Sequence, residues 1–379
     1  MTTPYENAEP VVMAGEGGLL FVGSTPPPVR GITVVNQYVL ELARETGLRV
    51  ELFNVSPLAS FSKSPAVRYV NFIEKVTRPA VVMFRLAGLM AALARGKSRA
   101  MYISINGGNG QIYDILFILP ARLFGLKIFI QHHSFNYLIY KKTVFRALLA
   151  AAGPGATHLV LCRGMGDKLK GKYNIEGPII PASNAATIGD TFEPGEKRRS
   201  LSSVGYLGNI MVEKGILEFL RTAEIMRKRN EPVKFIIAGP FYDGQARQAV
   251  LAAAKEGGNV VYLGPKYGEE KREFFQEIDA LLFPSKYLNE AEPLAIHEAM
   301  AAGAPVIAWQ RGCIGEMMSP ECGLVIKAEE EFAPKAAQTL LLWKNNPEAF
   351  SIISANAMAR YAKNHAASAA AFREMAKAF

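Results

Sequence analysis

Short apolar runs alternate with helix-like segments along this chain, and the alternation begins again half-way. Five strands are predicted in the first half, at residues 19–22, 48–55, 100–105, 127–131 and 158–162. Five more follow a polar segment, at residues 204–208, 233–239, 260–264, 280–285 and 304–309. Strands that alternate with helices of about 10 to 15 residues are typical of parallel, doubly wound sheets. The alternation therefore predicts an α/β fold with two Rossmann-like domains that face each other across a cleft.

The polar segment at residues 184–203 marks the predicted domain boundary. At 379 residues, the chain exceeds the usual size of one hydrophobic core, so two domains are expected. We predict an N-terminal domain at residues 1–190 and a C-terminal domain at residues 191–379. The alanine-rich end of the chain predicts a helix, which is a candidate to pack back on the N-terminal domain. Because ligands bind at the carboxyl ends of strands in such sheets, the cleft is the predicted binding site.

The composition is that of an ordinary globular protein, with 50% hydrophobic and 20% charged residues. The sequence contains no run of about 18 apolar residues, so no membrane-spanning helix is predicted. The nearest candidate, residues 115–130, is interrupted by Arg122 and Lys127. The first residues lack the order of a basic and then an apolar region that defines a signal peptide.

The three cysteines show neither the spacing of metal ligands nor a pairing pattern. They are Cys162, Cys313 and Cys322. We predict three reduced thiols in a cytoplasmic protein, because disulfides are rare in that compartment.

The net charge of +9 lies entirely in the first half of the chain. Residues 1–190 hold 20 Lys and Arg against 11 Asp and Glu, whereas residues 191–379 hold 23 of each. Residues 61–100 alone carry eight basic side chains and one acid, Glu74. Such a segment attracts phosphates or an acidic membrane surface, with a solvated helix face as the alternative. No nucleic-acid partner is expected, because no recognition module accompanies the charge.

Residues 286–309 place Glu290, Glu292 and Glu298 in a segment that is otherwise apolar. If a helix begins here, Glu292 lies at the N-cap and Pro293 at the first helical position. Glu298 then lies inside a helix packed on a sheet, where a carboxylate needs hydrogen-bond partners or a ligand. The amino end of a helix also binds phosphate. Together these features predict a nucleotide site.

The segment NEAEPLAIHEAMAAGAPVIA, residues 289–308, resembles the E-x7-E signature of retaining glycosyltransferases of family 4, which have the GT-B fold. The resemblance implies that Glu298 binds the ribose hydroxyls of a nucleotide-sugar donor. It implies that Glu290 binds hydroxyls of the transferred sugar. The residues that open the helix are also predicted to bind the donor, and they are Pro293, Leu294 and Ala295.

Two further segments of the second half resemble donor-binding loops of the same family. In GYLGNIMVEKGILEFL, residues 205–220, Lys214 matches the lysine that holds the donor pyrophosphate. Asn209 stands where many members of the family have arginine, and we include it in the predicted donor site. Lys266 and Tyr267 lie in the loop that meets the nucleobase in the family.

The first half resembles the acceptor domain of the family. Gly31, in the loop after the first strand, is predicted to approach the donor phosphate, and Arg30 to lie on the acceptor side. In FIQHHSFNYLIY, His133 matches a histidine close to the reacting sugar. His132 is the alternative, because adjacent strand residues point to opposite faces. Asn106 is also predicted on the acceptor side.

The resemblance implies a retaining glycosyltransferase that joins a sugar from a nucleotide-diphosphate sugar to an acceptor hydroxyl, in polysaccharide or glycolipid biosynthesis. His133, Glu290 and Lys214 are the implied catalytic residues, and no protein nucleophile is assigned. Neither a metal nor another cofactor is expected, because the family generally needs none. A nucleotide-sugar epimerase of the same fold and a non-catalytic sugar-binding protein are the alternatives.

The region from Lys63 to Arg99 mixes basic residues with an apolar stripe, as an interfacial helix does. It suggests a saccharide or lipid-linked saccharide acceptor and a peripheral position at the inner membrane face. A core-packed helix with a basic outer side is the alternative.

Overall fold

The computed structural model describes residues 17–27, 31–56, 67–140, 142–189, 196–255 and 258–379, and only the backbone of residues 67–76. Arg30, predicted on the acceptor side, lies outside these residues. The predicted boundary between residues 190 and 191 also lies outside them.

The first domain is built on a parallel sheet. Its strands are β1 Gly18–Gly23, β2 Arg49–Asn54, β3 Ser98–Ser104, β4 Lys127–Gln131, β5 Thr157–Val160 and β6 Ile179–Pro181. Within the described residues they follow the order β2-β1-β3-β4-β5-β6, all parallel. The helices between them are α1 Gly31–Glu45, α2 Val67–Ala94, α3 Gln111–Leu123, α4 Asn136–Ile139, α5 Thr143–Ala152 and α6 Arg163–Tyr173.

The second domain repeats this plan. Its strands are β7 Ser203–Leu207, β8 Lys234–Ala238, β9 Val260–Tyr262, β10 Ala280–Phe283, β11 Val306–Trp309 and β12 Gly323–Ile326. They pair in the order β12-β11-β10-β7-β8-β9. Its helices are α7 Ile216–Lys228, α8 Gly244–Lys255, α9 Gly268–Glu277, α10 Leu294–Ala301, α11 Ile314–Met317, α12 Phe332–Asn345 and α13 Pro347–Ala378. The predicted architecture of two doubly wound α/β domains is confirmed.

Each sheet is covered on both faces, which explains why its strands are apolar throughout rather than alternating. In β3, Met101 and Ile103 join the core beneath α2, α3 and α5. Ala100 and Tyr102 point to the opposite face and join a core with α1 and the end of α13. Consecutive residues of a strand thus pack into two separate cores, one on each face of the sheet.

Helix α13 belongs to both domains. Near its start, Phe350 is buried in the core of the second domain. Near its end, Phe372 and Met375 are buried against the sheet of the first domain. Ser368 Oγ donates to the Ser183 carbonyl at 2.5 Å, so the returning helix lies beside the segment that leaves the first domain.

By length and composition alone, residues Thr77–Ala94 of α2 would suffice to cross a membrane. This stretch differs from residues 115–130, which the sequence suggested as the nearest candidate. One side of the helix is nevertheless fixed in the first domain, because Val82, Leu89 and Leu93 are buried in its core. We therefore describe α2 as a helix of the globular domain.

A disulfide joins Cys162, after β5, to Cys313, after β11. The two Cα atoms are 5.8 Å apart, and 151 positions separate the residues along the chain. The prediction of three reduced, unpaired thiols is wrong for this pair. The pairing arises only when the two domains meet, so the local spacing of the cysteines carries no sign of it. Cys322 is free and buried.

Candidate active site

Lys214, predicted on the donor side, lies in a tight turn after β7. The chain forms a short 3-10 turn, Val212–Lys214, and Gly215 then precedes α7. Gly215 has a φ of 81°, and a Cβ at this position would collide with the carbonyl oxygen of Pro284. Glycine is required here because it tolerates both the left-handed conformation and the close approach. The turn thereby holds Lys214 beside the loop that follows β10.

Lys214 and Glu290 form an ion pair at the mouth of the cleft, with 2.5 Å between Nζ and Oε2. Their side chains are only 21% and 9% exposed. Ser285 donates from Oγ to the same Oε2 at 2.9 Å, and the ring of Tyr287 lies 4.7 Å from Nζ. A pair with so little exposure needs additional hydrogen bonds to offset its desolvation. Ser285 and Tyr287 surround the pair but were not predicted from the sequence.

Glu298 lies inside α10 and is buried, as the sequence predicted. Its Oε1 pairs with Nζ of Lys271 on α9. Its Oε2 is buried and has no hydrogen-bond partner among the described residues. An unpaired buried carboxylate oxygen is costly, so its position suits a ligand that donates a hydrogen bond, such as a hydroxyl.

The start of α10 differs from the prediction. Pro293 occupies the N-cap and is extended, with φ −71° and ψ 125°, so it is not the first helical residue. The predicted capping role of Glu292 is therefore wrong. Leu294 and Ala295 open the helix, and N–H groups in a first turn lack intrahelical acceptors. This position is compatible with the predicted phosphate contact.

Glu292 instead connects the two domains. Its carboxylate accepts hydrogen bonds from Ser183 Oγ at 2.5 Å and from the Asn184 N–H at 2.6 Å. Its Oε1 also lies 3.1 Å from Nε2 of His297. The three partners satisfy the hydrogen-bonding capacity of a carboxylate that is buried between the domains.

Two contacts bring the first domain against the donor side. A Cβ on Gly31 would lie 3.9 Å from Cδ1 of Leu294, so the start of α1 borders the start of α10. Asn136 Nδ2 donates to Asn289 Oδ1 at 3.2 Å, directly beside Glu290. The cleft therefore brings together Gly31 and the residues predicted around Glu290.

The two adjacent histidines after β4 have different surroundings. His132 is fully buried, with Nδ1 2.9 Å from Tyr137 Oη and Nε2 3.0 Å from His158 Nδ1. It is held inside the first domain, so its predicted position on the acceptor side is wrong. His133 is partly exposed, and its buried Nε2 has no partner among the described residues. Burial lowers the pKa of His133 to about 4, so this side chain is neutral at neutral pH.

Asn106 is held by a buried carboxylate. Asp114 accepts hydrogen bonds from the Asn106 N–H at 2.8 Å and from its Nδ2 at 2.6 Å. Arg78 Nη2 donates to the Asn106 Oδ1. Burial is the largest influence on Asp114 and raises the pKa of its carboxyl to about 7, against the lowering effect of these partners.

Two buried polar side chains at the ends of neighbouring strands were not predicted. Ser104 ends β3 and Gln131 ends β4, and they are register neighbours whose side chains share one face of the sheet. Ser104 Oγ and both polar atoms of the Gln131 side chain have no partner among the described residues. The sequence could have indicated both residues, because each is a polar residue at the end of an apolar strand. The carboxyl ends of the strands line the cleft.

The loop residues predicted near the nucleobase precede α9, the helix that carries Lys271. Lys266 Nζ lies 3.6 Å from Oε1 of Glu270, and Tyr267 is exposed. Asn209 is exposed after β7. No group of three or more His, Cys, Asp or Glu side chains is placed to hold a metal ion in the part of the chain that the structure describes.

Residues 202–341, from the start of the second domain to α12, match the family described as Glycosyl transferases group 1. A Salmonella typhimurium lipopolysaccharide 1,2-N-acetylglucosaminetransferase is 31% identical over 120 residues, 30% of this chain and 31% of the relative. The putative teichuronic acid biosynthesis glycosyltransferase TuaC of Bacillus subtilis is 25% identical over 212 residues, 54% of this chain and 50% of the relative. The chain thus spans a third to a half of the length of these curated relatives.

The whole architecture is shared with a solved structure. The crystal structure of Anabaena Alr3699/HepE in complex with UDP superposes with a TM-score of 0.67. The superposition covers 95% of this chain and 99% of that chain, at 14% sequence identity. The chain has the GT-B fold.

In this GT-B structure, the predicted site residues come from both domains. Lys214, Glu290 and Glu298 lie around the start of α10, and Gly31 reaches it from the first domain. Lys271 and the Asn136–Asn289 contact were missed because their partners are distant in sequence, and Ser285 was missed because its contact with Glu290 forms only when the loop after β10 folds.

Proposed function

We propose that this chain is a retaining glycosyltransferase of family 4 that moves a sugar from a nucleotide-diphosphate sugar to an acceptor hydroxyl. The observation that carries the proposal is the Lys214–Glu290 ion pair beside Glu298, within the segment that matches group 1 glycosyl transferases. Passive sugar binding does not require a lysine and two carboxylates held at the start of a helix.

The donor is assigned to residues 191–379 and the acceptor to residues 1–190. Lys214, with the N–H groups that open α10, would bind the diphosphate, and Glu298 would bind the ribose. When the diphosphate takes the charge of Lys214, the Glu290 carboxylate becomes available to the hydroxyls of the sugar. Alr3699/HepE was crystallised with UDP-glucose, so uridine donors are the first to test.

The chemistry we propose needs neither a metal nor a protein nucleophile. The acceptor hydroxyl attacks on the face from which the diphosphate leaves, and the leaving phosphate oxygen takes its proton. Lys214 stabilises the negative charge that develops on that oxygen, which is the kind of electrostatic contribution that lowers such barriers most. His133, neutral and with a free ring nitrogen, would hydrogen-bond to the reacting sugar.

The names of the relatives, which refer to lipopolysaccharide and teichuronic acid, support a role in polysaccharide or lipopolysaccharide biosynthesis. We propose a saccharide or lipid-linked saccharide acceptor, and a cytoplasmic protein in peripheral contact with the inner face of an anionic membrane. The excess of basic residues in the first domain supports this location.

Calorimetry with UDP-, GDP- and ADP-sugars tests the donor site. We expect one donor class to bind, and Lys214→Ala to weaken its binding about 10- to 100-fold, because a charged hydrogen bond contributes about 1.5–3 kcal/mol. Lys234→Ala is the matched control, since this exposed lysine pairs with Glu277 on the surface of the same domain. Equal affinity in the wild type and Lys214→Ala would refute the role of Lys214. Donor epimerisation without any acceptor would instead identify an epimerase.

A further inference from the structure

Helix α3 is apolar on two opposite sides. One side is buried in the core of the first domain and includes Phe117, Ile118 and Ala121. The other side is exposed and presents Ile112, Leu116, Leu119 and Leu123. The spacing of these four residues, i, i+4, i+7 and i+11, places them in one stripe along the helix. The outer stripe of a helix on a soluble domain is normally polar, so this stripe indicates a contact with another apolar phase.

Helix α2 lies beside α3 on the same face of the sheet and repeats the feature. Its exposed large side chains are Met83, Phe84 and Met90, and Phe84 is 72% exposed. Both arginines of the described part bond to the first domain. Arg85 Nε donates to the Asn54 carbonyl at 3.1 Å, with its guanidinium carbon 5.6 Å from the centre of the Phe84 ring, and Arg78 donates to Asn106. We name the exposed side chains of these two helices the α2–α3 face; they are Met83, Phe84, Met90, Ile112, Leu116, Leu119 and Leu123.

Basic residues follow the carboxyl ends of both helices. Arg95, Lys97 and Arg99 follow α2, and all three are exposed. Lys127 is exposed shortly after α3. Glu51 is the acid that pairs with Arg95, at 2.5 Å. The α2–α3 face therefore ends in a positively charged rim.

The positive charge of this rim indicates which partner binds the α2–α3 face. A second copy of the chain, docked symmetrically through the same face, would offer the basic rim no acidic partner, because the face itself consists of apolar side chains. A bilayer with anionic headgroups offers apolar chains to the helices and phosphates to the rim. Spanning the bilayer would require α2 to leave the core that holds Val82 and Leu89, so the helices lie on the surface.

We propose that the α2–α3 face docks the first domain on an anionic membrane surface, with both helices lying in the interface. Helix α2 follows β2 and helix α3 follows β3, so both begin at the edge of the sheet that borders the cleft. Arg78, in the amino-terminal half of α2, contacts Asn106 on the acceptor side. The face thus leads from the membrane to the acceptor side of the cleft, where the headgroup of a lipid-linked acceptor would enter; this last point rests on the proposed function.

Co-sedimentation with vesicles of phosphatidylcholine, with and without phosphatidylglycerol, tests the docking. We expect binding to the anionic vesicles at low salt and its loss at high salt. Leu119→Glu/Leu123→Glu should weaken that binding at least tenfold, because both side chains are exposed and would carry charge into the interface. Lys97→Gln/Lys127→Gln should weaken it about 25-fold, since each lysine near such a surface contributes about fivefold.

The matched control is Leu342→Glu/Ile352→Glu, which places the same charges on exposed apolar positions of α12 and α13. It should bind vesicles as the wild type does. No sedimentation of the wild type with anionic vesicles at low salt would overturn the proposal. So would a dimer, seen by light scattering, that Leu119→Glu/Leu123→Glu converts to a monomer.

Binding of UDP, GDP and ADP, measured on the same preparations, separates this proposal from the proposed function. The leucine variants should bind the same nucleotide as the wild type does, with equal affinity, which also shows that they are folded. Vesicle binding by a wild type that binds no nucleotide would support the docking surface and count against the glycosyltransferase. Nucleotide binding without vesicle binding would refute the docking surface and the proposed membrane contact, and would leave the proposed glycosyl transfer untouched.

Discussion

Asp114 is the buried carboxyl that fixes Asn106, and its protonation should couple the stability of the first domain to pH. Burial raises the pKa of Asp114 from an ordinary 3.8 to about 7 in the folded chain. Between these two values the folded state binds a proton that the unfolded state has released. The contribution of this group to stability therefore falls as the pH rises from about 4 to about 7.

Asp114→Asn should remove this dependence, because the amide does not titrate. The free energy of unfolding of the variant relative to the wild type should rise between pH 4 and pH 7, by up to about 4 kcal/mol. Urea unfolding at several pH values measures it. Asp167→Asn, at an exposed aspartate of α6, controls for the loss of a surface charge. Parallel pH profiles of the wild type and Asp114→Asn would contradict the prediction.

Individual residues were predictable from the sequence where their own surroundings in the chain carried the signal. Glu298 is recognisable as a buried carboxylate because the helix around it is apolar. Ser285 and Lys271 are not, since their importance lies in contacts with Glu290 and Glu298 that form only in the folded domain. His132 shows the limit of the pattern, because two adjacent histidines give no indication of which one faces the cleft.

At the scale of single elements, the turn before α7 depends on Gly215. Gly215→Ala should lower the free energy of unfolding by at least about 2 kcal/mol, through the left-handed conformation and the collision with the Pro284 carbonyl. Nucleotide affinity should fall with it, because Lys214 is the preceding residue. Calorimetric melting and UDP titration measure the two effects.

The control for this substitution is Gly171→Ala, within α6. Outside the adjacent residues and the backbone of α6 itself, no heavy atom lies within 4 Å of a Cβ at that position. Because alanine is the better helix former, this variant should gain up to about 1 kcal/mol in the free energy of unfolding. A stability of Gly215→Ala equal to that of the wild type would show that the turn accepts a side chain.

Most elements were predicted because apolar runs and helical segments are distinct in this chain. Two of the four edge strands of the described sheets, β6 and β12, were missed. β6 has three residues and ends in Pro181, and β12 starts at Gly323, and neither proline nor glycine is typical of a strand. Their position beside a neighbouring strand, rather than their own sequence, makes them strands.

At the scale of the whole molecule, the stability of the first domain depends on the end of the chain. Phe372 of α13 is fully buried in that domain, with its ring 5.5 Å from the ring of Tyr38. Phe372→Ala should cost about 3–5 kcal/mol in the free energy of unfolding. Ile352→Ala, at an exposed position of the same helix, should change it by less than about 0.5 kcal/mol. Equal melting temperatures of the two variants would contradict the packing of α13.

The Cys162–Cys313 link joins the domains covalently. After oxidation with glutathione disulfide, alkylation of the denatured protein should modify Cys322 alone, and after full reduction it should modify all three cysteines. Mass spectrometry counts the modified sites. Alkylation of Cys162 or Cys313 in the oxidised sample would contradict the pairing.

The return of α13 to the first domain also determines how the two halves can move. The chain passes between the domains twice, and the two passages lie side by side, because Ser368 is bonded to Ser183. When the Cys162–Cys313 disulfide is reduced, these passages are the covalent connection between the domains. A body attached at one narrow place pivots there, so displacement grows with distance from that place. Glu292, bonded to Ser183, lies at this pivot. The start of α10 should therefore shift little when the cleft opens. The edges of the cleft that lie far from Glu292 should move furthest.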